Sequence, residues 1–150
     1  MKEKRKVMLK EITKDNLTDV LKLKVGEGQD GFVADNSVSI AQAHYSDYAW
    51  FRAIYADDIP VGFIMLSDNP EEGDYFLWRL MVDGKYQGQG YGKKAVELLV
   101  DYVKTRPNAN ELLVSYGEGE AGPAKFYEKL GFVPNGEKYG DEVGASLKLD

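Results

Sequence analysis

Three glycines alternate along one short stretch of the sequence, and a helical pattern follows them at once. They are Gly88, Gly90 and Gly92, and two lysines, Lys93 and Lys94, directly follow the last of them. Glycine has no Cβ, so its backbone amides can approach a ligand closely. The first N–H groups of a helix have no partner inside the helix and lie at its positive end. The stretch therefore predicts a site for a phosphate group, and the alternative is a turn that only reverses the chain.

Two familiar phosphate-binding motifs do not fit this stretch. The dinucleotide pattern G-x-G-x-x-G would need a glycine at the position of Lys93. The nucleoside triphosphate pattern G-x-x-x-x-G-K-[ST] would need a glycine at Gln87 and a hydroxyl side chain at Lys94. What remains is Gln87-x-x-Gly90-x-Gly92, placed between an apolar strand and an amphipathic helix.

The composition is that of a folded protein, and the length predicts one domain spanning residues 1–150. Apolar residues make up 43% and charged residues 29%, which argues against disorder. The net charge of −6 argues against nucleic acid as a partner. No apolar run suits a signal peptide or a membrane span, so we expect a cytoplasmic protein without membrane contact. The absence of cysteine excludes a thiol nucleophile and a thiolate metal site, and no metal is expected.

The periodicity predicts an α/β protein with one mixed sheet and helices on both faces. Strands are predicted at residues 7–12, 50–55, 61–66, 75–82 and 111–116. Helices are predicted over residues 13–25, with Thr13 or Asp15 as N-cap, over 36–45, from the glycine stretch to 103, and over 124–130. Residues 132–149 predict a closing hairpin with Asn135-Gly136 as its turn. The predicted order is therefore β-α-α-β-β-β-α-β-α-β-β.

Three segments carry a resemblance to a known family. The pattern Gln87-x-x-Gly90-x-Gly92 resembles [RQ]-x-x-G-x-[GA], the acyl-CoA-binding signature of the GCN5-related N-acetyltransferases, the GNAT family. "PAKFYEKLGF" resembles the family's C-terminal helix, and "YADDIPVGFIML" resembles its second and third strands. The resemblance implies a mostly antiparallel, twisted sheet that splays between strands 4 and 5 and is flanked by about four helices.

The same resemblance implies where acetyl-CoA binds. Its diphosphate would accept hydrogen bonds from backbone amides of the glycine stretch, with the charge of Lys93 or Lys94 nearby. The implied residues of this stretch are Gln87, Gly88, Gln89, Gly90, Tyr91, Gly92 and Lys93. The pantetheine arm would pair like an added strand with the backbone of Leu80, Met81 and Val82. The alternative for the last three residues is that they serve only as sheet core.

Without a cysteine, the amine is expected to attack the acetyl thioester directly. The resemblance implies that Tyr127 is the general acid for the departing thiolate, and the alternative is a tyrosine that only packs beside Phe126 and Leu130. It also implies that a backbone N–H near Met81 stabilises the oxyanion. The general base stays open: Glu72 and Asp74 are candidates.

Two further residues bear on the chemistry of the site. Glu120 stands seven residues before Tyr127, where the family often has asparagine, so an additional acid is expected near the site. His44 is the only histidine, and on a short helix it is expected to be a surface or capping residue rather than a base.

The acceptor is expected to be a small-molecule amine, with a polycation favoured. Between residues 26 and 84, eleven acidic residues occur against only Arg52 and Arg79. Aromatic residues of the same segment could pack on methylene chains or ammonium groups: Phe32, Tyr45, Tyr48, Trp50, Phe51, Tyr55 and Trp78. "WRLMVDGKYQGQGYG", "FYEKLGF" and "NGEKYGDE" resemble bacterial spermine/spermidine acetyltransferases, and the family resemblance implies a homodimer. The alternatives are a protein amine or an aminoglycoside as acceptor, and a non-catalytic acetyl-CoA sensor.

Overall fold

The computed structural model describes residues 5–26, 34–119 and 122–150. The strands in these ranges are β1 (Val7–Lys10), β2 (Ala49–Ala56), β3 (Ile59–Asn69), β4 (Asp74–Val82), β5 (Glu111–Gly117), β6 (Val133–Tyr139) and β7 (Glu142–Lys148). The α-helices are α1 (Leu17–Leu21), α2 (Asn36–His44), α3 (Tyr91–Lys104) and α4 (Ala124–Lys129). The predicted α/β class and the predicted order of elements are confirmed. Across the described ranges, none of the helices is long and apolar enough to cross a membrane.

All seven strands join one sheet in the order β1-β2-β3-β4-β5-β7-β6. Neighbouring strands are antiparallel except for β4 and β5, which are parallel. Strand β7, the last in the chain, therefore inserts between β5 and β6. This crossover brings the C-terminal hairpin beside the middle of the sheet.

The sheet has a hydrophobic core on each face because its strands alternate their side chains between the two sides. In β2, Ile54 and Ala56 belong to the core under α3 and α4, whereas Ala53 and Tyr55 belong to the core under α1 and α2. We call these sides the α3 face and the α1 face. Helix α3 turns Ala95, Val96, Leu99 and Val103 into the core of its face, and all are fully or almost fully buried.

The sheet splits between β4 and β5, as predicted. Only Phe76 with Leu113 and Leu77 with Val114 pair across these two strands. Directly after them β4 contains a bulge, because Leu77 and Arg79 pair with consecutive residues of β3 and leave Trp78 without a partner position. A bulge bends its strand and increases the local twist. From Trp78 to Val82, β4 therefore has a neighbour on the β3 side and a cleft on the other.

The closing hairpin turns at a different place from the predicted one. Asn135-Gly136 lies inside β6, and the turn falls at Gly140, whose φ is +65°. The three residues from Asn135 to Glu137 bulge opposite the single residue Gly144, against which Asn135 Oδ1 and Glu137 Cβ pack. The prediction was wrong because two turn signals occur within six residues, and only the pairing with β7 selects between them.

The first helix is shorter than predicted, and its N-cap is Asn16 instead of Thr13 or Asp15. After α1 the chain extends toward the end of β4. The N–H of Lys24 donates to Asp83 Oδ2 at 3.0 Å, and the N–H of Gly84 donates to the Lys24 carbonyl at 2.8 Å. These long-range bonds give both backbone groups of Lys24 partners that a longer helix would not provide.

Candidate active site

A cleft of about 1160 Å³ opens where β4 and β5 separate. It is lined by β4, by the stretch from Tyr86 to Lys93, by α4 and by the β6–β7 hairpin. Among the predicted site residues, those that line it are Leu80, Met81, Val82, Gln87, Gly88, Gly90, Tyr91, Gly92, Lys93 and Tyr127. Gln89 does not line the cleft; its side-chain oxygen accepts a hydrogen bond from the Tyr91 hydroxyl at 3.1 Å.

The glycine stretch presents bare backbone to the cleft. Gly90 is the N-cap of α3 and is left-handed, with φ +82°, and Gly88 has φ +79°. A Cβ built on either residue would meet no described atom within 4 Å, so both positions face open space. The first intrahelical bond of α3 runs from the N–H of Lys94 to the Gly90 carbonyl. The amides of Tyr91, Gly92 and Lys93 are therefore left by the helix for another acceptor.

Gly92 serves a different purpose from its two neighbours. A Cβ at this position would lie 3.4 Å from the ring of Phe126 on α4 and 3.6 Å from Val82 Cγ2. Gly92 thus lets the first turn of α3 approach both α4 and the end of β4. This contact brings the amides of the helix start to the same cleft as Tyr127.

Two polar side chains hold the turn between β4 and the glycine stretch. Asp83 is 5% exposed, and its carboxylate accepts hydrogen bonds from the N–H groups of Lys24 and Lys85. Gln87 donates through Nε2 to the Val82 carbonyl at 2.8 Å. The sequence pattern marked Gln87 but not Asp83, whose partner Lys24 lies far away along the chain.

The free edge of β4 has a definite set of backbone donors. The N–H of Asp83 donates to the Val61 carbonyl on β3 at 2.8 Å. Because successive residues of a strand point their N–H groups to opposite edges, Met81 also turns toward β3, whereas Leu80 and Val82 turn toward the cleft. Of the three residues predicted to pair with the pantetheine arm, Leu80 and Val82 therefore direct their backbone groups into the cleft, and Met81, which lies between them, directs its own toward β3.

Tyr127 enters the cleft from α4 and is 7% exposed. Its ring stacks on Tyr116 of β5, with centroids 5.5 Å apart, and packs edge-on against Phe126 and Phe132. Burial raises the pKa of the Tyr127 phenol, and the negative charge of Glu142 and the neighbouring Tyr116 raise it further. The phenol therefore keeps its proton at neutral pH, as a proton donor must.

The α1-face side of the cleft is lined by aromatic residues and by charges of both signs. Phe76 and Trp78 line it from β4, and Tyr139 from the end of β6, where its ring meets Phe76 edge-on at 5.3 Å. Glu142 follows at the start of β7 and accepts a hydrogen bond from Ser115. The sequence pointed to Trp78 for the acceptor, and Tyr139 and Glu142 lie in a segment of family resemblance, but only the pairing of the strands brings these residues together with Phe76.

Arg79 also lines the cleft, but its charge is directed elsewhere. It donates to Gln42 Oε1 on α2 at 3.1 Å and to the Trp78 carbonyl at 3.0 Å. Burial lowers the pKa of its guanidinium, and the charge of Glu142 acts in the opposite direction. No ion pair between Arg79 and Glu142 forms within the described part of the chain.

Several predicted residues lie away from the cleft. Glu72 and Asp74 are exposed and do not line it, and neither do the other described acids of residues 26–84. His44 is exposed at the last position of α2. Of the predicted aromatic residues, Trp78 lines the cleft and Trp50 instead stacks on Tyr102 of α3 at 4.5 Å. The others that are described, namely Tyr45, Tyr48, Phe51 and Tyr55, also lie outside the lining.

Two residues singled out in the sequence, Glu120 and Phe32, lie outside the residues that the structure describes. Within residues 5–26, 34–119 and 122–150, no three His, Cys, Asp or Glu side chains are grouped so that they could hold a metal ion.

Comparison with known proteins agrees with this geometry. A sequence model described as the acetyltransferase (GNAT) family matches residues 17–132. A protein of Bacillus subtilis named spermine/spermidine N(1)-acetyltransferase is 28% identical over 137 residues, covering 87% of this chain and 90% of the relative.

Two solved structures show the same fold. An acetyltransferase of Bacillus anthracis in complex with acetyl coenzyme A superposes with a TM-score of 0.71 at 17% identity, covering 99% of this chain and 100% of the other. The ribosomal-protein-S18-alanine N-acetyltransferase of Escherichia coli gives 0.70 at 17% identity, covering 96% and 94%. With the signature on the cleft, the splayed sheet and the match over most of its length, this chain belongs to the acetyltransferase (GNAT) family of enzymes.

Proposed function

We propose that residues 1–150 act as one domain that transfers the acetyl group of acetyl-CoA directly to a primary amine of a polyamine such as spermidine or spermine. The observation that carries this proposal is the meeting of three features in one cleft. They are the open N-terminus of α3, the unpaired edge of β4 and the buried phenol of Tyr127.

The glycine stretch fits the diphosphate of the donor. The amides of Tyr91, Gly92 and Lys93 lie at the positive end of a 14-residue helix, where an anion is stabilised. Gly88 and Gly90 leave open the space that a Cβ would fill, so a phosphate could contact the backbone. Lys93 is exposed beside this space and would add a positive charge.

The edge of β4 fits the extended arm that connects the diphosphate to the thioester. Leu80 and Val82 offer backbone groups that β5 does not reach, and an amide-bearing chain would pair with them as a strand would. An N–H group of this edge that the arm leaves unpaired would donate to the acetyl carbonyl oxygen and stabilise the charge that develops on it. The donor thus enters from the α3 face and reaches the middle of the sheet.

The reaction then requires a proton to be added to the leaving sulfur and protons to be removed from the acceptor nitrogen. The ordinary pKa of an alkylammonium group is close to that of lysine, about 10.4, so the acceptor nitrogen is mostly protonated at neutral pH. It must therefore lose a proton to water before it can attack. The neutral nitrogen attacks the carbonyl carbon, the C–N bond forms and the C–S bond breaks. Tyr127 gives its proton to the sulfur and regains one from solvent, while the nitrogen releases its surplus proton to water through the α1-face side.

The α1-face side of the cleft supports a cationic acceptor with an apolar chain. Its aromatic lining of Phe76, Trp78 and Tyr139 suits both methylene groups and ammonium groups, and Glu142 supplies the negative charge. The relative from Bacillus subtilis bears the name of an enzyme for spermine and spermidine. The homodimer and the cytoplasmic location stay predictions from the sequence.

The test is a panel of amines incubated with the protein and acetyl-CoA while thiol release is followed. The panel contains spermidine, spermine, kanamycin, a lysine-containing peptide and a peptide with a free N-terminus. Release with spermidine or spermine, at a higher rate than with the other amines, supports the proposal. Thiol release only with kanamycin or a peptide would show that the acceptor is an aminoglycoside or a protein amine instead. Binding of acetyl-CoA without thiol release in the presence of any amine would indicate a sensor.

A further inference from the structure

We propose that Glu142 is the specificity-determining residue that binds an ammonium group of the acceptor, and that Ser115 positions its carboxylate. This inference rests on the proposed function, because it assigns a residue to the acceptor of that reaction. The place of Glu142 in the cleft follows from the pairing of β5, β7 and β6.

The strand alternation places Glu142 on the side from which the acceptor enters. Val143, Ala145 and Leu147 of β7 belong to, or pack against, the core of the α3 face. Glu142, next to Val143 in the strand, therefore points to the opposite face. The core of that face is built from β2, β3, β4 and the first two helices, and it includes no residue of β5, β6 or β7. Glu142 thus lies beside that core and lines the open cleft.

The carboxylate of Glu142 is held in one orientation. Ser115 Oγ donates to Glu142 Oε1 at 2.9 Å. The residue paired directly with Ser115 is Gly144, so Glu142, two residues earlier in β7, reaches Ser115 diagonally across the β5–β7 ladder. Both partners are half-buried. A carboxylate has acceptor sites for several donors, so Ser115 fixes the group without using its capacity.

No protein cation neutralises Glu142 directly. Among the described residues, the ion pairs are those of Arg52 with Glu11 and of Arg106 with Asp68. Arg79 is the nearest candidate by its electrostatic effect, yet its guanidinium is bonded to Gln42 and to a backbone carbonyl. A half-buried carboxylate that forms no ion pair among the described residues and lines a cleft is complementary to a cation that arrives from outside.

The surroundings of Glu142 indicate which part of the acceptor it binds. Its charge raises the pKa of the Tyr127 phenol, and both residues line the same cleft. Tyr139 precedes Glu142 by three residues and packs on Phe76, so an aromatic wall stands beside the carboxylate. The acceptor's ammonium group would contact Glu142 while the adjoining methylene groups pack on this wall.

The experiment compares Glu142→Gln with the wild type at varied spermidine and saturating acetyl-CoA, and then at varied acetyl-CoA. Loss of a charge-assisted hydrogen bond predicts a rise of roughly 10- to 100-fold in the KM for spermidine. The dissociation constant of acetyl-CoA, measured by calorimetry, is expected to change by less than about twofold because the diphosphate site is on the other face. Ser115→Ala leaves the charge but not its orientation, so a smaller rise in the same KM is expected.

The matched control is Glu137→Gln, which removes the same charge from an exposed residue of the adjoining β6 outside the cleft lining. Equal KM values for spermidine in Glu142→Gln, Glu137→Gln and the wild type would overturn the inference. So would a parallel loss of acetyl-CoA affinity and thermal stability in Glu142→Gln and Ser115→Ala, since that would show a structural role. If the wild type acetylates none of the amines, the proposed function fails, and the role of Glu142 is then tested by calorimetric titration with spermidine. Spermidine binding by the wild type that Glu142→Gln loses would support the role of Glu142. No spermidine binding by the wild type, or equal binding by both proteins, would overturn it.

Discussion

Replacing Gly90 by valine is expected to abolish coenzyme A binding by two effects that the structure separates. Gly90 has φ +82°, a conformation that costs an L-residue about 1–2 kcal/mol and a β-branched one more. Its Cβ would also project into open space at the N-terminus of α3. The first effect lowers stability, and the second blocks the approach of a phosphate.

The size of the binding loss follows from the donors that would be covered. Three amides, of Tyr91, Gly92 and Lys93, have no partner within α3. A hydrogen bond to a charged group contributes about 1.5–3 kcal/mol, so losing even two of them weakens binding by roughly 100-fold or more. Calorimetric titration with coenzyme A measures this loss, and thermal unfolding measures the stability of the same sample.

Gly136→Val is the matched control because Gly136 has φ +83° and, like Gly90, no described atom within 4 Å of a built Cβ. It lies in the bulge of β6, outside the cleft lining. The two variants are expected to lose similar stability, and only Gly90→Val is expected to lose coenzyme A binding. Retained binding in Gly90→Val, or an equal loss in both variants, would refute the assignment of the diphosphate to the start of α3.

Three further outcomes are expected. Tyr127→Phe should lower kcat by roughly 10- to 100-fold with an unchanged dissociation constant for acetyl-CoA, and unchanged kcat in steady-state rates would remove the general acid. The free energy of unfolding should fall as pH rises above about 10, because the raised pKa of Tyr127 keeps its proton bound in the folded state while the unfolded phenol releases it. Denaturant titrations at pH 8 and 10.5 check this, and Tyr127→Phe should show a smaller fall than the wild type. Gly62→Ala should destabilise the protein by about 1–3 kcal/mol because a Cβ there overlaps the Met81 carbonyl oxygen; an unchanged midpoint of urea unfolding would contradict this.

The sequence predicted those parts of the cleft whose signals are local. The glycine stretch and the helix after it lie within one short segment, so residue type and spacing were enough to predict them, whereas Tyr127 was assigned to the site by the family resemblance. Gly88 and Gly90 have the positive φ values that favour glycine, and this constraint is visible in a single sequence. The split in the sheet came instead from the family resemblance, because no residue pattern marks a missing ladder.

The parts that were missed depend on pairings across the chain. Glu142 reaches the cleft because β7 inserts between β5 and β6, and nothing in the sequence near Glu142 states that order. Glu72 and Asp74 were reasonable candidates by their proximity to β4 in sequence, but neither lines the cleft. Asn135-Gly136 is a strong turn signal that becomes a bulge because Gly144 stands opposite. In each case a distant strand decides the role of a local motif.

The split between β4 and β5 leaves backbone groups of β4 without hydrogen bonds from β5, and a bound ligand could supply those bonds. Backbone groups that lose a ladder partner must be hydrogen-bonded by something else, and an open strand edge is a site where another chain can add. Along β4, the ladder with β5 stops at Leu77, and the bulge at Trp78 follows at once. Gln87 meets part of the demand by donating to the Val82 carbonyl, which leaves the cleft-facing N–H groups of Leu80 and Val82 to be bonded from the cleft. An acetyl donor with amide groups along an extended arm would supply acceptors for this edge, so the opening that weakens the sheet is also what makes its middle reachable from both faces.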